Sequence, residues 1–192
     1  GWDDYRFQDF AQNEWRYRAA IKQKIERLAD EFGRKKFGEW LDTGQASCRP
    51  NWVLPDSIEP GELASAGLPK TMFEREGRMN DFEQKVISLL ADSDNVRCWH
   101  RNLERGKGFC LNGFVNHYPD FILLTKSGKV ILLETKGDDR DNSDSKHKLA
   151  LGKMWESHAR RYGDFSYFMV FENNPVEGAL RLDEMLKRIE KM

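Results

Sequence analysis

Residues 118–137 read YPDFILLTKSGKVILLETKG, and the fold turns on this stretch. Two apolar runs, Phe121 to Leu124 and Val130 to Leu133, flank the turn signal Ser127-Gly128. Runs of that length broken by a Ser-Gly pair predict a hairpin whose strands are buried on both faces. Such strands have little tolerance for charge, yet Asp120, Glu134 and Lys136 stand at their ends, where the apolar runs stop.

Register decides whether these groups meet. A three-residue loop (Lys126, Ser127, Gly128), with Gly128 in the left-handed position, is a common hairpin connection. It pairs Thr125 with Lys129 and so sets Asp120 opposite Glu134, with Cβ atoms roughly 4.5–5.5 Å apart. Lys136 shares their face through the two-residue alternation. A two-residue loop would put the carboxylates on opposite faces. Two buried carboxylates at that separation shift their pKa values or recruit a cation. Oxygen-only ligands with open positions suit Mg²⁺, with Mn²⁺ as substitute, and the Thr135 carbonyl could add a further ligand. Lys136 then has two jobs open to it: orienting or deprotonating an attacking water, and holding a phosphate. Pro-Asp pairs also open ordinary turns, and E-x-K recurs by chance in charged proteins, so either alone is weak. On adjacent strands in one register they favour a catalytic reading, phosphodiester hydrolysis.

Outward from the hairpin, residues 71–192 read as one compact domain. Asn80 caps a helix marked by Phe82, Val86, Leu89 and Leu90. A strand follows at Val96 to His100, and Phe109 to Phe114 adds some strand character. Then come strands at Tyr118 to Leu124 and Val130 to Lys136, an acidic loop from Asp138 to Asp144, and a helix from about Ser145 to Tyr162. A strand at Tyr167 to Phe171 and a helix from Ala179 to Lys191 close the chain. The order is helix, three strands, helix, strand, helix, which predicts an α/β fold with a mixed sheet flanked by helices.

Residues 1–70 differ. From about Asn13 to Trp40, Tyr17, Ile21, Ile25, Leu28 and Phe32 recur at helical spacing, predicting an amphipathic helical arm docked on something. Its basic face carries no nucleic-acid motif. Asp42 to Pro69 holds four of the six prolines (Pro50, Pro55, Pro60, Pro69) with Gly44, Gly61 and Gly67. Helices and central strands do not tolerate that punctuation, so this is a linker or a wrapping arm.

Composition bounds the rest. With 39% hydrophobic residues and 12 Phe and 6 Trp, the chain can build a core. No apolar run approaches a bilayer span and no secretory pattern opens the chain, so no membrane partner is expected and the cytoplasm is the default. Cys48, Cys98 and Cys110 form no C-x-x-C pair, and His100, His117, His147 and His158 lack zinc spacing. A net charge of −1 counts mildly against bulk attraction to nucleic acid, while leaving room for a locally basic cleft. The first residue is Gly1 rather than Met, so the chain reads as a piece of a longer protein with Gly1 a vector-derived residue. No phosphate loop of the G-K-[ST] kind occurs, so no such ATPase sits in this piece.

Pro119-Asp120 followed by Glu134-Thr135-Lys136-Gly137 resembles the signature of the PD-(D/E)XK nucleases. The wording Tyr118-Pro-Asp-Phe-Ile, then Leu-Glu-Thr-Lys-Gly137, with Lys148, Ala150 and Trp155 in the next helix, is similar to the endonuclease domain that ends the restriction (Res) subunit of type III restriction enzymes. The resemblance covers about Thr71 to Met192; the N-terminal third matches no motif of that family. It implies a restriction-endonuclease-like core in αβββαβ order. It further implies Mg²⁺ as cofactor, double-stranded DNA as substrate, a helicase motor in the same full-length chain using ATP, and a DNA modification subunit as partner.

The resemblance also gives supporting residues. Nucleases of this superfamily often carry an extra carboxylate on the first core helix, where Glu83 stands. The local alternative is a capping box, Asn80-x-x-Glu83. Lys148 lies seven residues before Trp155, on one stripe with Gly152 between them, so it projects toward the strand ends where a phosphate could sit; a solvated surface lysine is the alternative. Lys146 and His147 are weaker candidates. Arg97, His100, Arg101, Arg105 and Lys107 form a basic cluster that is either solvated or touches phosphate. The acidic loop (Asp138, Asp139, Asp141, Asp144) and the histidines carry no catalytic assignment. The expectation is a Mg²⁺-dependent DNA endonuclease domain. Asp120, Glu134 and Thr135 hold metal, Lys136 acts on water, and Lys148 and Glu83 assist. One cut per active site implies a second such domain for a double-strand break. The rivals are a non-catalytic DNA-binding or docking module on the same fold, and a repair or recombination nuclease.

Overall fold

A computed structural model of the chain describes residues 2–48, 52–59, 67–104, 106–137 and 142–192. Arg105 and the acidic residues Asp138, Asp139 and Asp141 lie outside the described residues. The chain forms two compact units, residues 1–46 and 47–192.

The first unit holds α1 (Trp2–Gln12) and α2 (Glu14–Asp42). The break at Asn13 is fixed locally. Its Nδ2 donates to the Asp9 carbonyl at 3.1 Å and to Asp9 Oδ1 at 3.0 Å, while Phe10 stacks on Tyr17 with ring centroids 5.4 Å apart. The apolar stripe expected on α2 exists, but Tyr17, Ile21, Ile25, Leu28 and Phe32 are all exposed.

The second unit contains α3 (Asp81–Asp92), β1 (Val96–Arg101), β2 (Leu111–Asn112), β3 (Asn116–His117), β4 (Phe121–Thr125), β5 (Val130–Lys136), α4 (Asn142–Ala159), β6 (Phe165–Phe171), β7 (Leu180–Arg181) and α5 (Leu182–Glu190). The main sheet runs β1-β4-β5-β6-β7. Its β1–β4 and β4–β5 pairs are antiparallel, and β5–β6 and β6–β7 are parallel. This is a mixed α/β architecture with a five-stranded sheet between helices. On one face α3 and α5 bring Val86, Ile87, Leu90, Met185 and Ile189 against Trp99, Phe121, Leu123, Ile131, Leu133, Phe168 and Val170. On the other face α4 packs on β6, with buried Trp155 edge-on to Phe165 at 5.5 Å between ring centroids.

The hairpin takes the expected register. Phe121 pairs with Leu133, Ile122 with Leu132, and Leu124 with Val130. Thr125 N donates to the Lys129 carbonyl at 2.9 Å and Gly128 N to the Thr125 carbonyl at 3.1 Å. Gly128 sits at φ +90°, the left-handed turn position that a three-residue loop requires.

Two local expectations need correction. The segment from Phe109 to Phe114 stays out of the main sheet: only Leu111 and Asn112 are strand, paired with Asn116 and His117. Leu180 and Arg181 join β6 in parallel before α5 begins. Residues 69–72 lie along the open edge of β1, with Thr71 bridged to Trp99. The Trp99 indole donates to the Pro69 carbonyl at 2.9 Å, and Trp99 N to the Lys70 carbonyl at 2.9 Å. Met72 N returns a bond to the Trp99 carbonyl at 2.8 Å. An edge strand left bare would offer its unpaired backbone groups to other chains, and this arm covers them.

Candidate active site

The site begins where the β4–β5 ladder runs out. Extended by one step, the register sets Asp120 opposite Glu134; by two, it sets Thr135 opposite Pro119. Pro119 has no N–H to give to the ladder. Thr135 instead turns to the Asp120 side chain: its N–H and its hydroxyl both donate to Oδ2, at 2.7 and 2.8 Å. The Pro-Asp pair is held from behind by Asn102. Its Nδ2 donates to the Pro119 carbonyl at 2.9 Å and to the Phe109 carbonyl at 2.8 Å, and its N–H to the Asp120 carbonyl at 2.9 Å.

Asp120 Oδ1 lies 3.2 Å from Arg101 Nη1, and Nη2 of the same guanidinium lies 3.1 Å from Glu83 Oε1. Glu83 closes the capping box and also pairs with Arg101. Oε2 closes the capping box on Asn80 N at 2.8 Å, with Glu83 N donating to Asn80 Oδ1 at 2.9 Å, while Oε1 reaches toward the site. Two members of the basic cluster expected around residue 101 are turned inward. Arg101 faces carboxylates rather than solvent, and His100 is buried with its Nδ1 2.8 Å from Glu76 Oε2.

Glu134 and Lys136 point to one side of β5, and both are buried. Lys136 Nζ is 2.6 Å from Glu134 Oε1. Glu134 Oε2 is buried and without a hydrogen-bond partner; His117 Nε2 lies 3.9 Å from it. Burial, and then the charge of Asp120, push the Glu134 carboxyl up to about 8 against the pull of Lys136 and Lys148. Burial, with the positive charges of Lys148 and Lys136, drives His117 down to about 3, so its ring is neutral.

His117 and Tyr167 were not legible as site residues. His117 Nε2 is 2.8 Å from the Tyr167 hydroxyl, and its Nδ1 is buried with no partner. Burial and the negative charges of Glu134, Asp120 and Asp144 hold the Tyr167 phenol well above its ordinary range, hence protonated. Tyr167 fits only because residue 152 is glycine: a Cβ there would stand 2.4 Å from the phenol ring. The space left by Gly152 thus belongs to Tyr167, not to Lys148.

Lys148 lies on the buried side of α4, half-buried, with Nζ 2.8 Å from Asp144 Oδ2. Burial pulls its ammonium down, but the hydrogen bond to Asp144 and the charges of Glu134, Asp144 and Asp120 outweigh that and leave it raised. Lys148 therefore sits in the field of both site carboxylates. Lys146 is exposed.

The donor set fits a divalent cation. Glu134 offers a buried oxygen with nothing bound to it, and burial and the charge of Asp120 hold its carboxyl against ionisation. In an extended strand a residue's C=O points to the same edge as its N–H, so the Thr135 carbonyl faces Pro119, which cannot donate to it. Among the described residues no group of three or more His, Cys, Asp or Glu side chains is gathered to cage an ion. Two carboxylates and a peptide carbonyl, with water completing the shell, are the sparse set that Mg²⁺ accepts. In comparisons with known proteins the chain matches no family model, no curated protein and no solved structure, so its function is read from this geometry.

Proposed function

We propose that this chain carries a Mg²⁺-dependent DNA endonuclease centre of the PD-(D/E)XK kind, on a restriction-endonuclease-like core. One observation carries the reading. The hairpin register puts Asp120 across from Glu134 on one face of the sheet, with the Lys136 amine 2.6 Å from Glu134. Asp120, Glu134 and the Thr135 carbonyl would hold the ion, which when bound neutralises charge on the scissile phosphate. With its carboxylate partner drawn to the ion, Lys136 Nζ is released to orient the attacking water or to hold a non-bridging phosphate oxygen. Water adds to phosphorus as the P–O bond to the leaving sugar oxygen breaks, and the water proton passes to a nearby base. Lys148, whose charge persists across the working pH range, adds a second cationic contact for the phosphate. Its resemblance to the type III restriction subunit makes a helicase motor, a modification subunit and double-stranded DNA the partners of this reading.

The test is cleavage of supercoiled plasmid in Mg²⁺ or Mn²⁺. Nicking or linearisation that vanishes in Asp120→Ala supports the reading. DNA binding without cleavage by the chain joined to its motor and modification partner favours a non-catalytic DNA-binding module instead.

A further inference from the structure

We propose that Arg101 is a resident second cation of this centre, so that the site takes one divalent ion rather than two. The inference rests on the metal-dependent reading above and fixes its stoichiometry.

Arg101 comes from β1 and spans carboxylates from two other segments, Asp120 at the head of β4 and Glu83 on α3. It lies 3.2 Å from Asp120 Oδ1 and 3.1 Å from Glu83 Oε1, and the three side chains are 13%, 14% and 9% exposed. A guanidinium is charged at every working pH, so this bridge cannot relax by losing a proton. A second metal placed between Asp120 and Glu83 would have to displace the guanidinium from these two oxygens.

The arginine is locked in place. Its backbone N–H donates to Glu76 Oε2 at 3.0 Å, and Nη1 donates to the Asp120 carbonyl at 2.8 Å. Its guanidinium carbon stands 5.2 Å from the centre of the Phe121 ring. Gly77 leaves room for the stem: a Cβ there would lie 3.3 Å from Arg101 Cγ. The Nε atom is buried without a partner, a cost that a mere surface arginine would shed by turning outward.

Charge balance points the same way. Three carboxylates (Glu83, Asp120, Glu134) face two cations (Arg101, Lys136), while Lys148 is paired with Asp144. One divalent ion leaves a single positive charge, which one phosphodiester neutralises. A second ion would leave three, and in a half-dry site that excess has no counterpart.

The experiment is Mn²⁺ stoichiometry and affinity on the full chain, by equilibrium titration with paramagnetic detection of free ion, paired with thermal melts. The variants are Arg101→Met, Arg101→Lys and Glu83→Gln. The wild type is expected to bind one Mn²⁺, Arg101→Met two, and Arg101→Lys one again. Arg101→Met should also gain more melting temperature from Mn²⁺ than the wild type does, and if it folds only with Mn²⁺ present the inference is supported outright. Glu83→Gln should keep the wild-type Mn²⁺ affinity, because Glu83 holds the arginine and not the ion. Two ions on the wild type overturn the inference, as does an Arg101→Met chain with one ion and no extra Mn²⁺ stabilisation. A loss of about tenfold or more in Glu83→Gln also overturns it. No Mn²⁺ on the wild type removes the metal-dependent reading, and this inference with it. Each failure is therefore separately visible.

Discussion

Two buried glutamate–histidine pairs lie in this domain, and they are built on opposite terms. At Glu76 both carboxylate oxygens are engaged. Oε2 accepts from His100 Nδ1 at 2.8 Å and from Arg101 N at 3.0 Å, and Oε1 accepts from Phe73 N at 3.3 Å. The His100 ring lies edge-on to Phe73, 5.0 Å between centroids. At Glu134 the neighbouring histidine is 3.9 Å away, one carboxylate oxygen and one ring nitrogen are buried without partners, and Asp120 sits opposite. A buried polar group with its bonds made is scaffold. One left wanting marks a place where something else is meant to bind. The pair at Glu76 fixes the end of β1, and under the proposed reading the pair at Glu134 keeps an oxygen for the ion.

The sharpest way to break that contrast is to exchange the expected phenotypes. Glu134→Gln should abolish Mg²⁺-dependent cleavage while its melting temperature holds or rises, because burial and Asp120 already disfavour the charged form of the side chain it replaces. Lys136→Ala should lower cleavage by about 10²–10⁴-fold, the usual worth of a positioned acid–base group. Glu76→Ala should do the reverse. It strips partners from His100, Arg101 N and Phe73 N together and should cost about 3–5 kcal/mol of stability, a fall in melting temperature on the order of 10 °C. Equal destabilisation by the Glu76 and Glu134 variants would erase the distinction. Plasmid nicking and thermal melts measure both halves.

The pH dependence of stability tests the two members of the Glu134 pair next. Glu134 keeps its proton up to about 8 in the folded, metal-free chain and loses it near 4.5 when unfolded. Between those values the folded state binds more protons, so stability falls as pH rises, by up to about 1.4 kcal/mol per unit. His117 acts in the other direction. Its folded value of about 3, against 6.5 unfolded, makes stability rise with pH through that lower window. The two slopes oppose one another between about 4.5 and 6.5, and from 6.5 to 8 the Glu134 slope stands alone. Denaturant titrations of the metal-free chain should therefore show stability declining across pH 6.5–8 in the wild type and level in Glu134→Gln. A decline of the same slope in the variant would place the effect elsewhere.

The sequence made one of these pairs half visible and the other not at all. Strand periodicity gave β5 to the residue, since Val130 to Lys136 is a run with a clear start and stop. Turn chemistry then fixed the register that faces Asp120 with Glu134. Glu83 could not be settled because its two roles use two different oxygens. His117 and Tyr167 stayed hidden because they are 50 residues apart and meet only through the parallel β5–β6 crossover. Gly152 is the trace of that meeting. Its absent side chain looked like room for Lys148, and only the sheet reveals which ring fills it. The arm at residues 67–72 was equally opaque, since Pro and Gly mark where regular structure stops and not what the chain then lies against.

Gly152→Ala tests how far the Glu134 pair depends on its rear wall. Tyr167 is fully buried, so a methyl 2.4 Å from its ring must push the phenol or α4. Over-packing of that kind should cost about 1–3 kcal/mol and weaken Mn²⁺ binding through His117 and Glu134. Stability loss with unchanged Mn²⁺ binding would confine Tyr167 to packing.

Gly128→Ala is the smallest change and the one that separates register from site. A Cβ at Gly128 meets nothing within 4 Å, so only the φ of +90° resists it. The expected loss is about 1 kcal/mol in denaturant titration, with Mg²⁺-dependent cleavage by the folded fraction unchanged. The loop would hold its three-residue count because eight residues of apolar ladder, from Phe121 to Leu124 and from Val130 to Leu133, pair in this register, and a one-residue slip would turn each of their side chains to the wrong face. If cleavage instead fell far beyond the loss of folded protein, the turn rather than the strands would be setting where Asp120 meets Glu134.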